Sequence, residues 1–445
     1  MPNRLKYNQI ENKRYINPKD ITIESGYTID VFAEAINTPS SILFTEDGDL
    51  FIANSGYTSG KADISIFRNG AFELYAEGFK PPLTGINYRN GNLYVSHKAT
   101  ITVIKKDGSR EDIIQGLPSY GDYSNCRVDF GPNGKMYFGI GTATNSGVVG
   151  NDNLWLSDYP TFHDRPGSYI ILNGQNFPTD NVLGKASETV YTGAFSSYGE
   201  PNQPFEIKKG IVKASGSILR ANMDGTDLEL VAWGLRSIAY IKFDASQRLF
   251  ASNNGYDLRG SRPIANAPDE FCIITEGSWY GFPDYAGGDP VTLSRFQPEG
   301  GRQPEFLLYS HPSLPPKPYA VFPPESTIIG FDFTKDYRFS SIGDIFIAEF
   351  GSVHLKSIGG FSVQYPSTGY RVSKVSNNGG VSTFAMNKSG FPAYITNEGG
   401  FGRPADIVFG SDGALYILDT GTSNREDPSD IIPNTGVIWK VTKSG

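Results

Sequence analysis

Residues able to move protons or grip anions are few and scattered in this 445-residue chain. Histidine, the side chain best suited to proton transfer near neutral pH, occurs four times: His97, His163, His311 and His354. His97 follows "NLYVS" at the end of an alternating run and is the histidine best placed to face a site. The other three suit structural or surface roles. Tyr123 stands in "GDYSNCR", a polar and aromatic approach to "VDFGPNGKMYFGIG", at a point where the chain should be entering a core. A tyrosine, with an ordinary pKa of about 10, is a poor base unless a neighbouring cation lowers it. Glu325, Asp122 and Glu349 are the carboxylates to weigh as bases in its stead. Cys126 and Cys272 are too few for a disulfide framework; buried thiols are expected, with a single bridge left open, and no haem or zinc spacing occurs.

The elements that must position these residues are strands. One phrase recurs six times: an apolar alternation, a tight turn, then a second alternating run. The copies are "SILFTEDGDLFIANSG", "GINYRNGNLYVSHK", "RVDFGPNGKMYFGIG", "YIKFDASQRLFASNNG", "FSSIGDIFIAEFG" and "DIVFGSDGALYILDTG". The fourth has Gln247-Arg248 where a turn glycine is expected. Each copy is followed by a second strand–turn–strand unit, and the first three are spaced about 43 residues apart, a common length for a propeller blade. The pattern predicts an all-β fold: a six-bladed β-propeller with four antiparallel strands per blade.

The last blade is one strand short at the C-terminus, and "YTIDVFAEAINTP" resembles the outer strands of other blades. Residues 27–36 are therefore expected to pair with the last blade and close the ring. This divides the chain into an N-terminal arm, 1–26, and a single propeller domain, 27–445. Two insertions rich in Pro, Gly, Asn and aromatics, at about 147–214 and 255–325, are expected on one face around the central channel. A net charge of −8 argues against a nucleic-acid partner. No membrane span and no signal-peptide core is visible, so the chain as given reads as cytoplasmic, and a mature secreted form would read the same. The oligomeric state has no signature.

Three stretches, "GSILRANMDGTDLELVAWGLRS", "NNGYDLRGSRPIANAPDEFCIITEGSWYGFPDYAGG" and "DIFIAEFGS…TGYRVSKV", resemble the glucose/sorbosone dehydrogenase family. Members are six-bladed propellers that typically use pyrroloquinoline quinone (PQQ) and calcium. The resemblance runs from about Gly26 to the end. It implies that Arg236, in "GLRSI", lies by quinone and substrate, although Ser237 and Ile238 replace the family's Asn-Pro. A guanidinium there would stabilise charge developing on a quinone oxygen. Arg371, Arg259 and Arg262 could complete a basic cleft for the cofactor. By position, the carbonyls of Gly255 and Tyr256 would face a quinone-associated calcium. The retained "PDE", with Asp269 and Glu270, and the carbonyl of Tyr280 would serve a structural calcium, an oxygen-only set as that ion requires. Tyr123 occupies the place of the family's catalytic histidine, and Glu325 and Phe350 stand where relatives often carry His.

The implied function is PQQ- and calcium-dependent oxidation of a carbohydrate or polyol hydroxyl. Tyr123, Arg236, His97 and Glu325 are the catalytic candidates, and Arg236, Arg371, Gly255 and Tyr256 the cofactor contacts. Two alternatives stay open on the same pocket: a non-catalytic carbohydrate-binding propeller, and a non-redox sugar lyase or hydrolase.

Overall fold

The computed structural model describes residues 14–185, 188–353, 356–358, 362–364, 368–396 and 398–444, so His354 lies outside the described residues. Five of the repeated phrases form the first two strands of an antiparallel sheet, while the fifth, 339–351, supplies only a second strand, its first lying upstream at Ile328–Phe333; six such sheets follow one another. The first holds Pro39–Phe44, Leu50–Asn54, Ala62–Arg68 and Ala71–Phe79. The second runs Leu83–Arg89, Asn92–His97, Thr100–Ile104 and Arg110–Gln115. The third comprises Asp129–Phe130, Met136–Ile140, Ser217–Ala221 and Glu229–Trp233. Ser237–Phe243, Leu249–Asn254, Asp269–Ile273 and Ala320–Phe322 make the fourth. Ile328–Phe333, Ile345–Glu349, Arg371–Val375 and Val381–Asn387 make the fifth. The sixth contains Pro404–Phe409, Leu415–Asp419 and Gly436–Lys443.

Tyr27–Ile36 pairs antiparallel with Gly436–Lys443 and completes the sixth sheet, as the unfilled edge required. The preceding residues are docked as well. Ile21–Ile23 adds a fifth strand to the fifth sheet, and Arg14 forms an ion pair with Asp419 at 2.8 Å that is almost wholly buried.

Strand alternation sends apolar side chains to both faces of each sheet, so the core is divided into layers between sheets. Leu43 and Ile64 of the first sheet meet Ile86 and Val95 of the second. Ile42 and Ile52, also of the first, meet Leu418 and Ile438 of the sixth. Aspartates tie the first strands together. Asp406 accepts from the Ile42 amide at 3.0 Å, Asp332 from the Phe409 amide at 3.0 Å, and Asp129 from the Phe243 amide at 2.6 Å. Each such bond satisfies a backbone donor that would otherwise be buried unpaired between sheets.

The first insertion occupies the connection from Met136–Ile140 to Ser217–Ala221, after the second strand as expected. The second span, 255–325, is divided. Asp269–Ile273 is the third strand of the fourth sheet and Ala320–Phe322 its fourth, both within it, so most of its length follows a third strand rather than a second. The two insertions meet: Ile170–Leu172 pairs with Leu308–Ser310, and Arg262 bonds Asp284 at 3.2 Å and the Ser146 carbonyl at 3.1 Å. Cys126 and Cys272 are both free and buried. Among the described residues no helix is long and apolar enough to cross a membrane.

Candidate functional site

Tyr123 lies on the connection between the second and third sheets, where its amide donates to the Thr142 carbonyl at 3.3 Å. Arg236 lies on the connection between the third and fourth. Its amide and that of Ser237 both donate to Asn253 Oδ1, at 2.8 and 3.1 Å. Ser237-Ile238 thus opens a strand that shifts register between Ile238 and Tyr240, and the amide of Arg236 is held by an asparagine of the neighbouring strand.

The guanidinium of Arg236 is enclosed by protein oxygens. Nε donates to the Asn145 carbonyl at 2.9 Å, and Nη1 to the carbonyls of Asn254, at 3.1 Å, and Gly255. Nη2 donates to Asn145 Oδ1 at 2.6 Å, to Asp257 Oδ2 at 2.8 Å and to the Tyr123 hydroxyl. The Tyr123 and Tyr256 rings lie 4.5 and 5.7 Å from its carbon. A second cation, Arg259, donates to Asp152 and Asp122 at 2.6 Å each, to Asp257 at 3.2 Å and to the Tyr123 hydroxyl at 3.1 Å. Asp122 also accepts from Trp155 Nε1 at 2.8 Å. Two guanidiniums therefore face three carboxylates around one phenol.

The phenol keeps its proton. Burial drives the Tyr123 pKa well above the ordinary tyrosine range, opposed by Arg236 and Arg259 and reinforced by Asp257 and Asp122. Its hydroxyl accepts from the arginines and lies 3.1 Å from Asp257 Oδ2, to which it donates. Such a group orients its neighbours and does not act as a general base.

The other candidates are dispersed. His97 is held inside the second sheet: Nδ1 accepts from the Lys80 amide at 3.2 Å and Nε2 bonds Thr102 at 2.8 Å. Burial lowers its pKa to about 4. Arg371 donates to Glu349 at 3.0 Å, and Glu349 also accepts from Ser373. Glu325 is half-buried in the turn between the fourth and fifth sheets with a left-handed backbone, φ 64°. His311 stacks on Trp279 and contacts Asp284 at 3.1 Å, within the insertions. Three members of the cluster, Asn145, Asp152 and Asp257, are absent from the sequence reading. Asp257 carried a signal, since "YDLRG" sets a carboxylate two residues from Arg259; Asn145 carried none.

The calcium candidates divide. Asp269 accepts from the amides of Gly255, at 2.7 Å, and Thr327, at 2.6 Å, so both its oxygens are committed to backbone. The Gly255 carbonyl is taken by Arg236. Glu270 is hydrogen-bonded too, but it stands at a void. This void is part-open, of about 10 Å³, and is also lined by Asn254, Gly255, Tyr256, Tyr280 and Arg236. Asn254 Oδ1 is buried without a hydrogen-bond partner, and burial raises the Glu270 pKa to about 7. Glu270 accepts from the Asn253 side-chain amide at 2.9 Å and from the Gly287 amide, so the Asn254 amide oxygen is the unpartnered one at the void; with the Glu270 carboxyl beside it, it offers oxygens of the kind calcium takes. Among the described residues no three His, Cys, Asp or Glu side chains converge on a metal position, so such a site would rest on amide and carbonyl oxygens beside Glu270.

PQQ, a planar tricarboxylate, does not fit the Arg236 surroundings. Both the N–H edges and the faces of that guanidinium are already engaged, Arg259 is shared among three carboxylates, and the local charge balance is acidic.

No protein-family model matches the sequence, and no curated protein does. Solved structures do match, on fold. An oxidoreductase assigned as a glucose dehydrogenase, from Thermus thermophilus, is 16% identical, with 94% of this chain and 100% of that chain covered, at a TM-score of 0.54. The PQQ-bound aldose sugar dehydrogenase of Streptomyces coelicolor is 16% identical over 95% and 100%, at 0.53. The PQQ domain of pyranose dehydrogenase from Coprinopsis cinerea is 13% identical over 97% and 98%, at 0.58. By this structural likeness the chain has the fold of the PQQ-dependent sugar dehydrogenases, a propeller of the glucose/sorbosone dehydrogenase type.

Proposed function

We propose that the chain is a six-bladed propeller of the sugar-dehydrogenase type, closed by its N-terminal strand, that binds a carbohydrate or polyol at the channel mouth without quinone redox chemistry. The observation carrying this reading is the saturation of Arg236, whose N–H groups all end on oxygens of this chain. Hydride removal from a hydroxyl also needs a base, and the group in that position is a phenol held neutral. The part-exposed rim suits hydroxyl recognition instead. Asp257, Arg259 and Asp152 alternate acceptor and donor groups with fixed geometry, and each keeps some solvent contact. In this reading Tyr123 and Arg236 hold the rim in place, and the calcium-fitting void beside Glu270 braces the loop carrying Asp257.

A second reading, PQQ-dependent dehydrogenation, draws on the same void, because calcium is the ion the resemblance implies. When bound, PQQ would supply the hydride acceptor. Calorimetric titration with a panel of mono- and disaccharides and polyols tests the first reading. Saturable binding that weakens in Asp152→Asn and proceeds without dye reduction is expected; sugar-dependent dye reduction after loading with PQQ and Ca²⁺ would replace it with the second.

A further inference from the structure

The first and sixth sheets part at their outer ends to leave a cavity of about 520 Å³, on the side of the molecule formed by Tyr27–Ile36 and Ala62–Phe79. Its wall is irregular where the sheets should close. Tyr27–Ile36 changes register against its partner twice, between Val31 and Ala33 and between Ala33 and Ile36. Ala35 there has a left-handed backbone, φ 59°. Consecutive bulges turn a strand away from its neighbour, and a non-glycine residue in that region is strained, a combination often found beside binding sites.

The lining has two characters. Phe32, Phe67 and Phe72 form an aromatic wall, with ring centroids 5.1 and 5.0 Å apart along the row. Asp63, Glu34 and Asn54 make up the acidic and amide part of the lining, Asp63 on the same strand face as Phe67. Asn54 is 6% exposed; its Nδ2 donates to Asp63 at 2.5 Å, while its Oδ1 has no partner. A buried amide oxygen left without a donor is costly and asks for an N–H or O–H from whatever fills the space. Among the described residues lining the cavity, none is Lys, Arg or His. The charged side chains lining the cavity are therefore carboxylates only, beside the neutral polar groups of Asn37, Asn54, Ser65 and Asn434. The volume lies within the usual range for a small-molecule site.

We propose that this cleft is a second ligand site, for a small organic ammonium carrying an aromatic or apolar body. The body packs on the three phenylalanines. The ammonium group donates to Asn54 Oδ1 and Asp63, with Glu34 adding long-range attraction at the mouth. A metal ion would leave most of the space empty, an anion would meet two carboxylates, and a neutral hydrocarbon would leave Asn54 Oδ1 unsatisfied. The site is separate from the Tyr123–Arg236 cluster and stands or falls independently of the sugar-binding reading.

Titration calorimetry on the full chain with 2-phenylethylammonium chloride, 2-phenylethanol and phenylacetate tests it. The ammonium is expected to bind saturably, the alcohol about tenfold more weakly or worse, and the anion not at all. Asp63→Asn should weaken ammonium binding by about tenfold and leave sugar binding unchanged. Should that variant fail to fold, Glu34→Gln, at an exposed position, should still weaken it by about twofold to threefold and leave sugar binding as it was. Absence of saturable ammonium binding, equal affinity for the alcohol, or full affinity in both variants would overturn the proposal.

Discussion

Tyr123 and Arg236 stand 113 positions apart in sequence, yet the phenol ring lies 4.5 Å from the guanidinium carbon and its hydroxyl takes one of the guanidinium's N–H groups. Ring face and hydroxyl thus both engage the same cation, and the hydroxyl also accepts from Arg259 and donates to Asp257. A residue so engaged fixes the approach of three loops.

Tyr123→Phe keeps the ring and removes the acceptor shared by Arg236 and Arg259. Leaving buried guanidinium donors short of a partner should lower stability by about 1–3 kcal/mol, read from the denaturant midpoint with an unchanged m-value. A stability-neutral substitution would mean the hydroxyl is not part of the network.

Arg14 bonds Asp419, the Gly400 carbonyl and the Thr435 carbonyl, and its partner carboxylate is wholly buried. Arg14→Ala strands that charge beside Trp439 and should cost about 3–5 kcal/mol. Chemical denaturation would measure this, and the segment before Tyr27 would be an expendable arm only if the loss were within error.

Asp164 is buried and accepts from the Ala143 amide at 2.6 Å and the Thr144 amide at 3.2 Å. Burial, which outweighs these hydrogen bonds, raises its pKa to about 6. Between the ordinary carboxyl pKa and that value the folded state holds a proton that the unfolded chain has released. Stability should therefore fall as pH rises through this window and level off above it, by about 2–3 kcal/mol for this one group. Comparing pH–stability profiles of wild type and Asp164→Asn isolates the contribution, and identical slopes would rule it out.

Calcium should raise the thermal midpoint by filling the void at Glu270 and Asn254. At a hundredfold excess over the dissociation constant the gain is about 2.7 kcal/mol. Chelation should reverse it, and Glu270→Gln should abolish the response; a calcium response that survives in that variant would place the ion elsewhere.

Much of the sheet pattern was legible because most copies join period-two alternation to a turn residue; the fifth holds only its second strand, and the first, Ile328–Phe333, precedes it. Gly134, φ 77°, supplies the left-handed turn position in "GPNG". Where that glycine is missing, Gln247 adopts the same region at φ 65°, and Arg248 braces the turn through Asp244 at 2.8 Å. Tertiary context therefore preserved a turn that the local residues disfavour. The strand Asp269–Ile273 was not legible, since "PDE" invited a metal-loop reading while Asp269 in fact clasps two amides. His97 ends a strand that could have faced a site, yet Thr102 and the Lys80 amide hold it within its own sheet. Asn145 and Asp257 meet only because two loops pack together, and no local pattern records that encounter.

The central claim, that the Arg236 cluster is closed to a quinone, is tested most directly by equilibrium dialysis of the purified protein against PQQ with Ca²⁺, read by quinone absorbance. No bound quinone at micromolar concentration is predicted. Stoichiometric uptake, followed by sugar-dependent dye reduction, would contradict it.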